Sequence, residues 1–258
     1  MHVKEIFDLS DHVAIVTGAS SGLGVWFSRG LAEAGSNVVL AARRVERLES
    51  LASELKNLGV RALAVPTDVT KEDQVQNLVD ATLVEFGRID VLVNNAGGES
   101  EEASIDTMPM ELVRQTFELN VFGVWHCCKL AGHVMLEQGD GKIINIASVL
   151  GLTASRDVDS AAYCASKGAI INFSRELAFK WAKQGVKVHC VAPGWFPTEL
   201  TASVFENPKL EKEAIDTIPL GRVGGEDDIK GLIVFLASPA SDFLLGHPII
   251  FDGGQILV

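Results

Sequence analysis

The chain has 258 residues, 47% of them hydrophobic, and a formal net charge of −12. That length suits one large α/β domain with an ample core, while the acidic balance argues against nucleic acid, which needs a basic face, as a partner. The longest apolar runs are strand-sized and "MHVKEIFDLSDHV" lacks the apolar centre of a signal peptide, so a soluble, cytoplasmic protein without membrane contact is expected.

The first predicted strand, "HVAIVTG" at 12–18, runs through the glycine-rich "TGASSGLG" (17–24) into a helix over 22–34. A strand at 37–42 and a helix over 45–58 follow, then a strand at 61–68 and a helix over 71–86. The next pairs are a strand at 90–97 with a helix over 109–138, and a strand at 142–148 with a helix over 160–184. A strand at 187–194, a helix over 226–238 and a strand at 248–254 complete the set. All strands but the last are near-continuous apolar runs, as expected where helices cover both faces of a parallel sheet. Glycine stands at helix ends, at Gly35, Gly59, Gly87 and Gly185. With right-handed crossovers this alternation predicts an α/β fold, a doubly wound parallel sheet of about seven strands with helices on both faces. No repeat or linker divides the chain, so 1–258 reads as a single domain. The stretch 194–225 is too long for a plain connection and is read as a substrate-binding lid.

A glycine turn between a first strand and a helix lets the backbone approach a pyrophosphate, with free N–H groups and partial positive charge at the helix N-terminus. Gly18, Gly22 and Gly24 equally suit a tight turn with close helix packing; their place after strand one favours the cofactor. At the end of strand two a carboxylate would accept from a ribose 2′-OH and select NAD. Here Ala41 and Ala42 are followed by Arg43 and Arg44, whose planar forks suit a 2′-phosphate and hence NADP, with NAD(H) as the lesser cofactor. Two cations at a helix start oppose its dipole and call for a compensating anion.

The sole tyrosine, Tyr163, precedes Lys167 by four positions in "SAAYCASKGAI". On a helix the pair shares one face, about 5–6 Å apart at Cβ. The spacing alone equally fits a phenol at a core edge with a solvated ammonium. The four cysteines, Cys127, Cys128, Cys164 and Cys190, follow no ligand spacing and read as reduced core thiols. The six histidines are scattered, so no metal site is expected.

Taken together, "TGASSGLG", "NNAG" (94–97), Asn120, Ser148, "YCASK" (163–167) and "PGWFPT" (193–198) resemble the short-chain dehydrogenase/reductase family over essentially the whole chain. The resemblance implies a Rossmann-type fold, a nicotinamide cofactor, a catalytic set of Asn120, Ser148, Tyr163 and Lys167, and frequent homotetramers. By the same resemblance the cofactor contacts are Gly18, Ser20, Ser21, Gly22, Leu23, Gly24, Arg43, Arg44, Asp68, Val69, Asn95, Ala96, Gly97, Tyr163, Lys167, Pro193, Gly194, Phe196 and Thr198. Asp68 also suits an N-cap, Asn94 a tie between strands, and Phe196 a contact through its backbone.

The chemistry agrees with these roles. A ketone oxygen that becomes an alkoxide needs an acid beside it; a cation near a phenol stabilises its phenolate; and a hydroxyl such as Ser148 stabilises developing charge. Asn120 is implied to link Lys167 to a proton-relay water. The resulting expectation is an NADP-preferring carbonyl reductase or alcohol dehydrogenase acting on a small free ketone or secondary alcohol, with a sugar or polyol as alternative. Trp195, Phe196 and Phe205 lean towards an apolar substrate. An acyl-carrier-protein reductase is disfavoured because Glu137 and Asp140 and the net charge would repel an acidic carrier. A non-catalytic nucleotide-binding sensor would be free to lose the Asn120, Ser148, Tyr163 and Lys167 set. Surplus apolar residues on 109–138 and 160–184, among them Phe117, Val121, Phe122, Trp125, Phe173, Phe179 and Trp181, point to a homo-oligomer, a tetramer in first place.

Overall fold

A computed structural model describes residues 2–98, 103–155 and 159–257. Seven parallel strands, β1 (Val13–Thr17), β2 (Asn37–Ala42), β3 (Ala62–Pro66), β4 (Val91–Asn94), β5 (Gly141–Ile146), β6 (Val186–Pro193) and β7 (Pro248–Phe251), form one sheet in the order β3-β2-β1-β4-β5-β6-β7. The order turns back at β1, which lies between β2 and β4. In a sheet of this kind the crevice at the carboxyl ends beside that reversal is where ligands bind.

The helices are α1 (Val3–Ile6), α2 (Leu23–Glu33), α3 (Val45–Lys56), α4 (Glu72–Phe86), α5 (Met110–Phe117), α6 (Gly123–Gln138), α7 (Ala161–Trp181), α8 (Ala202–Phe205), α9 (Pro208–Asp216) and α10 (Glu226–Ala237). Strand side chains alternate between faces, and β1 shows the consequence. Ala14 and Val16 join a core with Phe27 and Leu31 of α2, Leu48 of α3 and Ile229 and Ile233 of α10. Val13 and Ile15 join the opposite core with Leu78 of α4, Val124 and Met135 of α6 and Ile170 of α7. The expected doubly wound sheet is what the chain forms. Among the described residues no helix is long and apolar enough to cross a membrane.

The helix expected over 109–138 is interrupted by a π-turn, Glu118–Phe122, between α5 and α6. The stretch read as a lid at 194–225 is half helical, with a 3₁₀ turn at Glu199–Thr201 followed by α8 and α9. Asp68 does not cap α4: that N-cap is Lys71, and Asp68 instead accepts from the Thr70 N–H (3.0 Å) and hydroxyl (2.8 Å), closing a local turn. Glu137 and Asp140 stand before β5, at the amino edge of the sheet, where Asp140 pairs with Lys187 and Glu137 with His133. Their charge faces away from the carboxyl-end crevice, so it does not bear on a carrier approaching there. Cys127, Cys128 and Cys190 are buried, and burial pushes the thiols of Cys127 to about 12 and Cys190 to about 11, which keeps them protonated and inert.

Candidate active site

The turn after β1 is built by contacts only glycine permits. Gly22, the N-cap of α2, has φ +56°, and no side chain caps that helix. A Cβ on Gly24 would lie 2.3 Å from the Gly18 carbonyl oxygen, so the first turn of α2 presses directly on the loop below it. The loop is pinned from β4: Asn95 Nδ2 donates to the Thr17 carbonyl (2.9 Å) and the Gly18 carbonyl (3.3 Å), and the Thr17 hydroxyl accepts from the Asn95 and Ala96 N–H groups, both at 3.0 Å. Asn94 does tie strands together, donating to Asn145 Oδ1 of β5 (2.8 Å).

At the carboxyl end of β2, the two arginines behave differently. Arg44 lies over the glycine turn, its Nε on the Ser20 hydroxyl (3.1 Å), its Nη2 on the Ser21 hydroxyl (2.7 Å) and its Nη1 on Glu199 (2.8 Å). Arg47 pairs with the other Glu199 oxygen. The Arg47 and Arg44 guanidinium groups hold the Glu199 carboxyl down to about 2, so it stays ionised. Arg43 is exposed, and no described residue pairs with it. The anion that the two cations call for at the start of α3 is thus partly supplied from within the chain, by Glu199.

Tyr163 and Lys167 both lie on α7 with the Lys167 Nζ 5.5 Å from the centre of the phenol ring. Lys167 is 6% exposed and donates to the Ile146 carbonyl at the end of β5 (2.9 Å). Burial pushes its ammonium down to about 8. A desolvated cation of this kind favours a nearby anion. Gly97 lies against both this cation and Asn120: a Cβ there would sit 3.3 Å from Lys167 Nζ and 3.1 Å from Asn120 Oδ1.

Asn120, 1% exposed in the π-turn, exchanges hydrogen bonds with the backbone of Gly98, donating to its carbonyl (2.8 Å) and accepting from its N–H (2.9 Å). Its amide also donates to the Ser166 hydroxyl (3.0 Å), which in turn donates to the Tyr163 carbonyl (2.8 Å). The side chain is therefore spent on joining the loop after β4 to α7. π-turns often occur at functional positions. Ser148, 8% exposed at the end of β5, opens the 3₁₀ turn Val149–Gly151 and accepts from the Leu150 N–H (3.2 Å). That turn packs on α7, since a Cβ on Gly151 would meet the Lys167 backbone at 2.7 Å.

The remaining expected positions divide. Thr198 lies over the glycine turn, its Cβ 3.1 Å from where a Gly22 Cβ would stand. Phe196 is a core residue, 4% exposed, stacked on Phe251 (6.3 Å between centroids) and tilted against Trp26 (6.4 Å); its carbonyl accepts from Thr201 Oγ1 (2.6 Å). Phe196 therefore gives no support to an apolar substrate; Trp195 and Phe205 instead meet edge to face at 5.9 Å. Val69 is buried beneath Gly123. Gly194 abuts Asp252 and Gln255, next to Pro193 at the end of β6. Sequence reading overlooked Ser166, Gly98 and Glu199. Ser166 alone carried a signal, a small polar residue one turn from Tyr163 inside an apolar helix.

A Rossmann-type sheet with a glycine turn at its reversal and a Tyr/Lys pair at its carboxyl edge defines a class, the nicotinamide-dependent oxidoreductases. Residues 12–209 match the short chain dehydrogenase family, and the chain belongs to that family. It is an oxidoreductase of a group that binds NAD(P). It is 38% identical over 98% of its length to the 2-dehydro-3-deoxy-D-gluconate 5-dehydrogenase of Escherichia coli K12, covering 99% of that protein. It is 37% identical to a 3-oxoacyl-[acyl-carrier-protein] reductase of Synechocystis, over 96% of this chain and 98% of that one. Among solved structures it resembles a gluconate 5-dehydrogenase from Burkholderia cenocepacia in complex with NADP and tartrate, with TM-score 0.93, 33% identity and full coverage of both chains.

Proposed function

We propose that the chain interconverts a ketone and a secondary alcohol on a small hydroxy or keto sugar acid, with NADP(H) preferred over NAD(H). The observation that carries the reaction type is the buried Lys167 ammonium beside the single tyrosine on one face of α7. When bound, the nicotinamide cofactor supplies or accepts the hydride. Tyr163 gives its phenolic proton to the substrate oxygen in reduction and takes it back in oxidation. Lys167 stabilises the resulting phenolate, which is the anion its desolvated charge favours. The Ser148 hydroxyl donates to the substrate oxygen and steadies the charge that develops there. Asn120 holds Gly98 and Ser166 in register with Tyr163, so its part in the reaction is to position α7 and the loop after β4.

The chain's own residues fit the cofactor. The bare N-terminus of α2 above the pressed glycine turn suits a pyrophosphate, Ser20, Ser21, Arg43 and Arg44 a 2′-phosphate, Asp68 and Val69 the adenine, and Asn95, Ala96 and Gly97 the ribose and nicotinamide side. Pro193, Gly194, Phe196 and Thr198 would meet the carboxamide through their backbone. The chain acts as a single domain, 1–258, with 194–225 over the substrate, and assembles as a homotetramer through the face where Phe122 of the π-turn, Trp125 of α6 and Phe179 of α7 are exposed.

The sugar-acid class is supported by the relatives that bear such names, among them the Escherichia coli and Burkholderia cenocepacia proteins. A carrier-protein thioester, the substrate named for the Synechocystis relative, suits a chain of net charge −12 poorly. The test is to measure kcat/KM with NADPH and NADH for a panel of keto sugar acids, simple ketones and an acyl thioester. The proposal expects the keto sugar acids to lead and NADPH to be the better cofactor; a thioester ranking first would replace it.

A further inference from the structure

Arg43, Arg44 and Arg47 follow the carboxyl end of β2 in sequence, and their guanidinium groups are not equally free. One oxygen of Glu199 takes Arg44 Nη1 at 2.8 Å and the other takes Arg47. Only Arg43 carries no internal carboxylate among the described residues. Glu199 comes from a segment remote in sequence, the first residue of the 3₁₀ turn that follows β6, and Thr198 before it rests on Gly22. The same loop that covers the turn therefore brings the carboxylate to Arg44 and Arg47.

Arg44 does not depend on Glu199 for its place. Its Nε and Nη2 are held by the Ser20 and Ser21 hydroxyls at 3.1 and 2.7 Å. Removing the carboxylate leaves the guanidinium over the turn with one N–H direction vacant and one negative charge fewer beside it. We propose that Glu199 is a cofactor-specificity determinant that acts by competition: it occupies the Nη1 arm of Arg44 that a ribose 2′-phosphate would use, and so weakens NADP(H) while leaving NAD(H) nearly unaffected. The effect tempers the preference that Arg43 and Arg44 create. This rests on the proposed reading of those arginines as the 2′-phosphate site.

Electrostatics sets the direction. A phosphate bearing about −1.5 to −2 charges a few ångströms from a fixed carboxylate is repelled, and near a protein surface such a pair costs on the order of one to two powers of ten in affinity at low salt. A ligand without the 2′-phosphate meets no such charge at that place.

The experiment uses calorimetric titration of the full chain with 2′,5′-ADP and with 5′-ADP, at low ionic strength, for wild type, Glu199→Gln and Arg43→Ala. Wild type should bind 2′,5′-ADP more tightly than 5′-ADP, and Glu199→Gln should tighten 2′,5′-ADP about tenfold while changing 5′-ADP less than about twofold. If Glu199→Gln leaves 2′,5′-ADP unchanged or weakens it while wild type still prefers that ligand and Arg43→Ala reduces the preference, the competition is overturned and the phosphate site stands. If wild type binds both ligands equally and Arg43→Ala changes neither, the phosphate site itself is wrong and the inference falls with it.

Discussion

Lys167 makes the stability of the cofactor-free protein depend on pH in a direction opposite to a surface lysine that gains a partner. In the fold its ammonium is pushed down to about 8 by burial, against an ordinary value of 10.5. Between those two values the unfolded chain binds the proton and the folded chain does not, so stability rises with pH. The separation corresponds to about 3 kcal/mol in full, and about 1 kcal/mol of it is gained between about pH 7 and about pH 9. Urea denaturation of wild type and Lys167→Met across that range isolates the group, since every other titrating residue is common to both. The difference in unfolding free energy should shift in favour of wild type by about 1 kcal/mol as pH rises. Profiles that run parallel at all pH values would show that the ammonium is solvated, and with it the argument for an anion-seeking cation beside Tyr163 would fail.

Two further predictions concern the cofactor and the assembly. Ala42→Asp combined with Arg43→Ala should invert the ratio of kcat/KM for NADPH over NADH, because it adds an acceptor for a ribose hydroxyl and repels a phosphate; a charged hydrogen bond lost at this place is worth roughly 10- to 100-fold, and a wild type that already works better with NADH would refute it. Light scattering at micromolar concentration should give a tetramer, and Trp125→Glu with Phe179→Glu, both on exposed positions, should lower the mass; a monomeric wild type would end that expectation.

The order of strands and helices was legible because buried parallel strands are written as unbroken apolar runs and glycine marks helix ends. The Tyr163/Lys167 pair was legible as well, since helical spacing alone brings the two to one face. The π-turn at Glu118–Phe122 was not, because one extra residue in a turn leaves the apolar periodicity of 109–138 almost unchanged. Nor could the sequence place Glu199 on Arg44, a contact between residues 155 positions apart that exists only once β2 and the loop after β6 meet above the same turn. Asp68 misled for a local reason: an aspartate that could cap the helix finds a nearer donor pair on Thr70. Glu137 and Asp140 misled for a global one, because nearness to strand five in sequence does not tell which end of the strand carries the charge.

The proposed exchange of a proton between Tyr163 and the substrate oxygen is tested by Tyr163→Phe, which removes one hydroxyl. The variant should bind NADPH within about twofold of wild type, read by calorimetry, while kcat with the best substrate falls by roughly 10²–10⁴. Turnover close to wild type in a variant that binds the cofactor normally would contradict it.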